Sequence, residues 1–226
     1  MDHHGFFNVD QIEVIVLNAN NQEHYARPLV KQMDSKIETM RGLSLWSIDL
    51  AEQVKAFSQF QWLKDVRINK EWPSKLKISV EFKDVSLLVV SSGENFIPVS
   101  SDGSLLPKVS LGNAPDVVTT NEVQIIKNES VRNKLLNAIN SLPETGPFSK
   151  QSVSKIDYDS KEGVFVYLQQ PKLKVKLGHD KFGVKGFRVG QVIQYMIANG
   201  KTAESLDADL SNKVILKSQG SDTLRQ

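Results

Sequence analysis

The stretch 42–83 reads GLSLWSIDLAEQVKAFSQFQWLKDVRINKEWPSKLKISVEFK, and its periodicities decide the fold. After Gly42 and a short apolar lead-in at 45–48, Asp49 stands three residues before Glu52, the D-x-x-E arrangement that caps a helix start. Leu50, Val54 and Phe57 follow at helical spacing. Beyond Trp62 the period drops to two: Val66 and Ile68 face one way, Arg67 and Asn69 the other. Trp72-Pro73 turns the chain, because proline suits a strand start better than a strand interior. Leu76, Ile78, Val80 and Phe82 then share one face of a strand, with Lys75, Lys77, Ser79 and Glu81 on the other. The stretch is therefore helix, strand, turn, strand, with one apolar face to the sheet.

Working outward, 9–17 is an apolar-rich strand with Ile12, Val14 and Val16 on one face, and 18–23 is polar and loop-like. A helix is expected over 27–41, where Leu29, Val30, Met33, Ile37 and Met40 form a stripe that Gly42 stops. Beyond 83 the character changes. Short strands are expected at 85–90, 96–99 and 105–109, separated by turn signals at 91–93 and 101–103. Val131, Leu135, Leu136, Ile139 and Leu142 mark a helix ended by Pro143, and a Gly/Pro loop fills 144–150. Strands follow at 153–158, 164–168 and 173–177. Lys185 then leads into a helix with Val189, Val192, Ile193, Met196 and Ile197 on one stripe and Gly200 as its stop. A last strand pair is expected at 206–210 and 213–217, and the polar segment 218–226 reads as a disordered tail.

The chain of 226 residues has room for two small domains with cores of their own. A net charge of +2, with lysines spread rather than blocked, argues against nucleic acid as a partner. The absence of cysteine excludes disulfides, Cys-ligated zinc and thiol catalysis. No run approaches the roughly 18 apolar residues that span a bilayer, and 1–8 lacks the basic start and apolar core of a secretory signal.

The residues of the opening stretch resemble a POTRA domain. Gly42, the apolar lead-in and helix, Trp62 four residues before Val66, the basic strand, Trp72-Pro73 and a strand ending in Val80-Glu81 resemble in particular the FtsQ (DivIB) family of bacterial cell-division proteins. Leu177-Gly178, six residues, then Lys185 and its apolar helix extend the resemblance, as does Leu206-Asp207-Ala208-Asp209 at the start of the last strand pair. It covers about 9–217. One departure is Asp209, which stands where the family usually has an arginine.

The fold class implied is α+β. A flexible lead at 1–8 precedes a POTRA domain at 9–83, a three-stranded mixed sheet with two helices on one face. A mostly antiparallel β domain with two helices follows at 84–217. The resemblance also implies a function without catalysis or cofactor, that of a scaffold of the septal complex that activates peptidoglycan synthesis. Its partners are FtsB-like and FtsL-like division proteins, with other divisome proteins at the POTRA domain. Family members carry one membrane helix just before the POTRA domain, so the chain is expected on the periplasmic side of the inner membrane, without that helix.

An open sheet leaves unpaired N–H and C=O groups at its edges, and an extended partner segment pairs there. The last strand is the natural place, since no later segment covers it. The candidate partner-binding residues are Leu206, Asp207, Asp209, Leu210, Asn212, Lys213, Val214, Ile215 and Leu216. Lys185 and Arg188 at the helix start are expected to offer positive charge to acidic residues of the partner. A rival reading is a POTRA chaperone or transport component for secreted or outer-membrane chains. It calls for tandem POTRA repeats or a barrel of alternating strands, and only one POTRA pattern is visible.

Other chemistry lacks its signature. GHDKFGVK at 178–185 has Val184 between the second glycine and the lysine, and no Ser/Thr after it, unlike a phosphate loop. Counted from Asp157, glycine is seventh and Leu168 twelfth, against sixth glycine and twelfth glutamate in a calcium loop, so 157–163 reads as a hairpin turn. Asp207 and Asp209 share a strand face but have no histidine near them. The adjacent His3 and His4 have no further ligand nearby, His24 and His179 stand alone in predicted loops, and no serine has a G-x-S-x-G context. Trp46, Trp62 and Trp72 are expected to close the POTRA core rather than to form a recognition surface.

Overall fold

The computed structural model describes residues 5–18, 23–91, 93–210 and 214–217. By its contacts the chain divides into one unit of Met1–Asp84 with Leu106–Asp116, and a second of Val85–Leu105 with Val117–Gln226. The segment Leu106–Asp116, which the sequence reading places in the second domain, thus groups with the first, and its 3-10 turn Leu111–Asn113 lies against helix α1 (Glu23–Glu38). The expected tail at 218–226 falls outside the described residues.

The first unit is built on strand β3 (Lys75–Phe82), which lies between β1 (Gln11–Val16) and β2 (Leu63–Glu71). It runs parallel to β1 and antiparallel to β2, with both Val14 and Ile68 opposite Ile78. A parallel neighbour needs a long crossover, and α1, helix α2 (Leu50–Phe57) and β2 supply it. The alternation along β3 is complete: Leu76, Ile78, Val80 and Phe82 are buried, and each residue between them is half-exposed. From the helices, Tyr25, Leu29, Met33, Ile37 and Phe57 are buried. Helix α2 starts where the D-x-x-E pattern places it, with Asp49 Oδ1 accepting from the N–H groups of Ala51 at 2.9 Å and Glu52 at 3.2 Å. Helix α1 begins four residues before the expected start at Arg27 and ends at Glu38.

The lead expected to be flexible at 1–8 is described from Gly5, and from there it is tied down. Asn8 bridges Ser44, the Leu45 N–H donates to the Phe7 carbonyl at 2.9 Å, and the Val9 N–H to the Leu43 carbonyl at 2.9 Å. The tryptophans divide. Trp62 is buried and stacks on Phe82 at 5.2 Å between ring centres, whereas Trp46 is 70% and Trp72 49% exposed. The expectation of core packing is corrected for these two: Trp46 sits in the turn-rich segment before α2 and Trp72 in the β2–β3 turn, so no sheet face closes over either. They lean on each other at 4.5 Å, with Phe7 5.7 Å from Trp72.

In the second unit, β4 (Val85–Val90) pairs with β5 (Asn95–Ser100). Of the strand expected at 105–109 there remain a bridge from Leu105 to Val99 and, in the segment that groups with the first unit, the two-residue strand β6 (Val109–Ser110), because Pro107 brings no N–H to a ladder. Then come β7 (Thr119–Thr120), helix α3 (Glu129–Asn140), β8 (Val153–Asp159), β9 (Gly163–Leu168), β10 (Leu173–Gly178), helix α4 (Phe182–Ala198), β11 (Ser205–Asp207) and β12 (Ile215–Lys217). The strands lie in the order β12-β11-β10-β9-β8-β7-β4-β5. Ladders β8–β9 and β9–β10 are long and antiparallel, while β4–β7, β7–β8 and β10–β11 are short parallel joins. Helices α3 and α4 bury Val131, Leu135 and Ile139, and Val189, Ile193 and Met196, in one core with Val164, Val166 and Val175 of the sheet. Of the acids at 157–163, Asp159 and Glu162 lie at the β8–β9 turn, while Asp157 sits within β8 opposite Phe165. At the turn the backbone N–H groups of Glu162 and Lys161 hold the exposed Asp159 carboxyl below the usual carboxylate range.

Two stability comparisons check this layout. Ile78→Ala should lower unfolding free energy by about 2–5 kcal/mol in urea titration while Lys77→Ala changes it little; equal losses would put the register off by one residue. Likewise Trp62→Ala should cost about 3–5 kcal/mol and Trp46→Ala less than about 1 kcal/mol, and the reverse order would contradict the assignment of the buried tryptophan.

Candidate functional site: the β12 edge and its clamp

Strand β12 ends the sheet, pairing with β11 on one side through Leu206 opposite Leu216 and Asp207 opposite Ile215. No described strand lies on its other side. Ile215 is 45% and Leu216 47% exposed, so neither face of β12 is covered. Val214, just before it, packs against the core. Asn212 and Lys213 lie outside the described residues.

Behind this edge the chain is held by α4. The β10–β11 ladder carries on past β11, the Ala208 N–H donating to the Lys176 carbonyl at 2.9 Å. The Asp209 N–H then donates to Asp207 Oδ1 at 3.0 Å. These two aspartates thus make a turn, rather than the same-face pair of a continuous strand. Asp209 Oδ1 accepts from Lys185 Nζ at 3.0 Å, and Lys176 Nζ lies 4.0 Å from Oδ2. One helical turn further along α4, Arg188 reaches the Leu210 carbonyl at 3.5 Å.

The structure corrects the part expected of Lys185. Its side chain is only 3% exposed and turned inward. An ammonium has three donors and, out of water, needs acceptors and a counter-charge. It finds the Leu177 carbonyl at 2.9 Å, Asp180 Oδ1 at 3.1 Å and Asp209 Oδ1 at 3.0 Å. On the other side of the pair, hydrogen bonding and charge from Lys185 hold the exposed Asp180 carboxyl below its ordinary value. Two glycines give Asp209 its place. A Cβ on Gly178, where φ is +74°, would lie 1.8 Å from Asp209 Oδ1, and one on Gly163 would lie 2.2 Å from the Gly178 backbone. His179, expected alone in a loop, places Nε2 3.0 Å from the Lys161 carbonyl across the adjoining turn.

The expected site residues therefore fall into three groups. Leu206 is buried in the core and has no surface to offer. Lys185, Asp207 and Asp209 bind one another's segments, with Arg188 beside them. Leu210, 48% exposed, and Ile215 and Leu216 face outward. What the arrangement offers a partner is unpaired main chain flanked by apolar side chains. Among the described residues no group of three or more His, Cys, Asp or Glu is placed to hold a metal ion, and no helix is long and apolar enough to cross a membrane.

Comparison with known proteins agrees with this architecture. The family described as "POTRA domain, FtsQ-type" matches residues 30–81, from α1 to the end of β3. The chain is 24% identical over 202 residues to the cell division protein FtsQ of Geobacter sp. (strain M21), covering 84% of this chain and 73% of that protein. It is 25% identical over 220 residues to FtsQ of Geotalea daltonii, covering 94% and 76%. FtsQ of Myxococcus fulvus is 22% identical over 192 residues, covering 79% and 66%. The chain thus carries a POTRA domain matching the FtsQ type, and its similarity to FtsQ proteins of bacterial cell division reaches through the second unit.

Proposed function

We propose that the chain is a non-catalytic scaffold of the divisome whose β12 edge takes up an extended C-terminal segment of an FtsB-like protein. That protein arrives paired with an FtsL-like one, and the assembly links to septal peptidoglycan synthesis. The POTRA domain is left to other divisome partners. In this reading the chain lies on the periplasmic side of the inner membrane, anchored by a single membrane helix in the full-length protein. The observation that carries the proposal is the position of β12: last in its sheet, with no described strand on its other side, and exposed on both faces. Main-chain pairing supplies affinity at such an edge, and pockets for alternate side chains supply selectivity.

Proline tests this directly, since it removes a ladder donor and fixes φ. Val214→Pro and Ile215→Pro occupy adjacent positions, so the N–H groups of the two point in opposite directions. Calorimetric titration with the C-terminal peptide of the FtsB-like protein from the same genome should show one of the two variants weakened by about tenfold or more, as for loss of a buried hydrogen bond and local strand geometry. Undiminished binding by both would rule the edge out.

A further inference from the structure

The clamp behind the edge ties the segment beyond β11 to the β10–α4 connection. Lys185 lies on α4, Leu177 at the end of β10, Asp180 in the β10–α4 turn, and Asp209 just past β11. The ammonium is nearly sealed from water, while the Asp209 carboxylate keeps 36% of its surface. Arg188 adds a second hold on the next residue, Leu210. Four residues, 211–214, separate Leu210 from Ile215, so the place where Leu210 is fixed limits where β12 starts and which residues it sets opposite β11.

We propose that Lys185 and Asp209 are positioning residues for partner capture: their ion pair holds the segment 207–210 against α4 and thereby sets the register and presentation of β12. Neither charge is offered to the partner. This rests on the reading of β12 as the docking edge. It also changes the kind of segment that fits, because recognition at the edge is by main chain and apolar contact with Leu210, Ile215 and Leu216 rather than by charge steering from α4. The partner strand suited to it is apolar at alternate positions, and needs no acid aimed at Lys185 nor base aimed at Asp209.

The test uses Asp209→Ala and Lys185→Met. Asp209→Ala leaves Lys185 with its acceptors at Leu177 and Asp180, so the ammonium is not stranded. Lys185→Met fills the same space without a charge, and the carboxylate left behind at Asp209 is partly in water. Two readouts are taken. One is affinity for the FtsB-like C-terminal peptide at about 0.05 M and about 0.5 M salt, across which exposed charge contacts are strongly screened. The other is amide hydrogen exchange in the free protein. Each variant should bind about tenfold more weakly, by the same factor at both salts, since a register effect is not screened as a surface contact is. Exchange at 205–207 and 215–217 should quicken in both while β8 and β9 stay protected. Wild-type affinity in the variants, or a loss confined to low salt, overturns the proposal, as does unchanged exchange at β11 and β12. If the wild-type chain captures no peptide, it is the edge reading that fails, and the exchange measurement still decides whether the clamp holds the strand.

Discussion

A lysine that gives up its water has to find acceptors inside the protein, and at Lys185 they come from three separate places: the end of β10, the turn after it and the segment beyond β11. A buried ammonium without them would be strongly unfavourable, and with them it is a constraint on all three at once. The parallel join of β10 to β11 is only a few residues long, too short to hold the C-terminal segment firmly by main-chain bonds alone. The ion pair supplies the missing restraint from the helix side, and the glycine at 178 is what lets the carboxylate come close enough.

From that constraint the character of the sheet edge follows. Leu206 and Ala208 are buried in the core, and β11 is an inner strand between β10 and β12. Strand β12, next in line, has one partner among the described strands and two open faces. Proteins usually blunt such an edge with charge, proline or a bulge. Here two of the three exposed residues are apolar, Ile215 and Leu216, and Lys217 supplies the charge. Long apolar edges are prone to aggregation, and one only three residues long is a modest hazard that a fitting partner removes.

Much of the first unit was legible because its signals are local. The alternation at 76, 78, 80 and 82 is a burial pattern, and β3 buries those four residues. Asp49 caps α2 through its own neighbours. The exposed Trp46 and Trp72 were not legible, since nothing in a tryptophan's spacing says whether another layer will close over the turn that carries it. Lys185 was misread for a different reason. It falls four and eight residues before Val189 and Ile193, on the buried line of α4, but a lysine there normally extends along the surface to keep its charge in water. The signal that could have corrected this was Asp209, an acid where the resembled family has a base. An opposite charge in the segment that must pass α4 was the missing counter-ion, and only the tertiary path of the chain brings it to Lys185. The strand expected at 105–109 is cut to two residues because Pro107 interrupts its apolar run.

The account comes down to whether a strand adds beside β12. The most direct measurement is nuclear Overhauser spectroscopy on the isotope-labelled chain bound to the C-terminal peptide of the FtsB-like protein. Adjacent strands lie about 4.8 Å apart, which brings backbone protons of paired residues within range. The account predicts backbone contacts from Ile215, Leu216 and Lys217 to consecutive peptide residues, in a single register. A bound peptide whose backbone contacts fall on other strands, with none to β12, would contradict it.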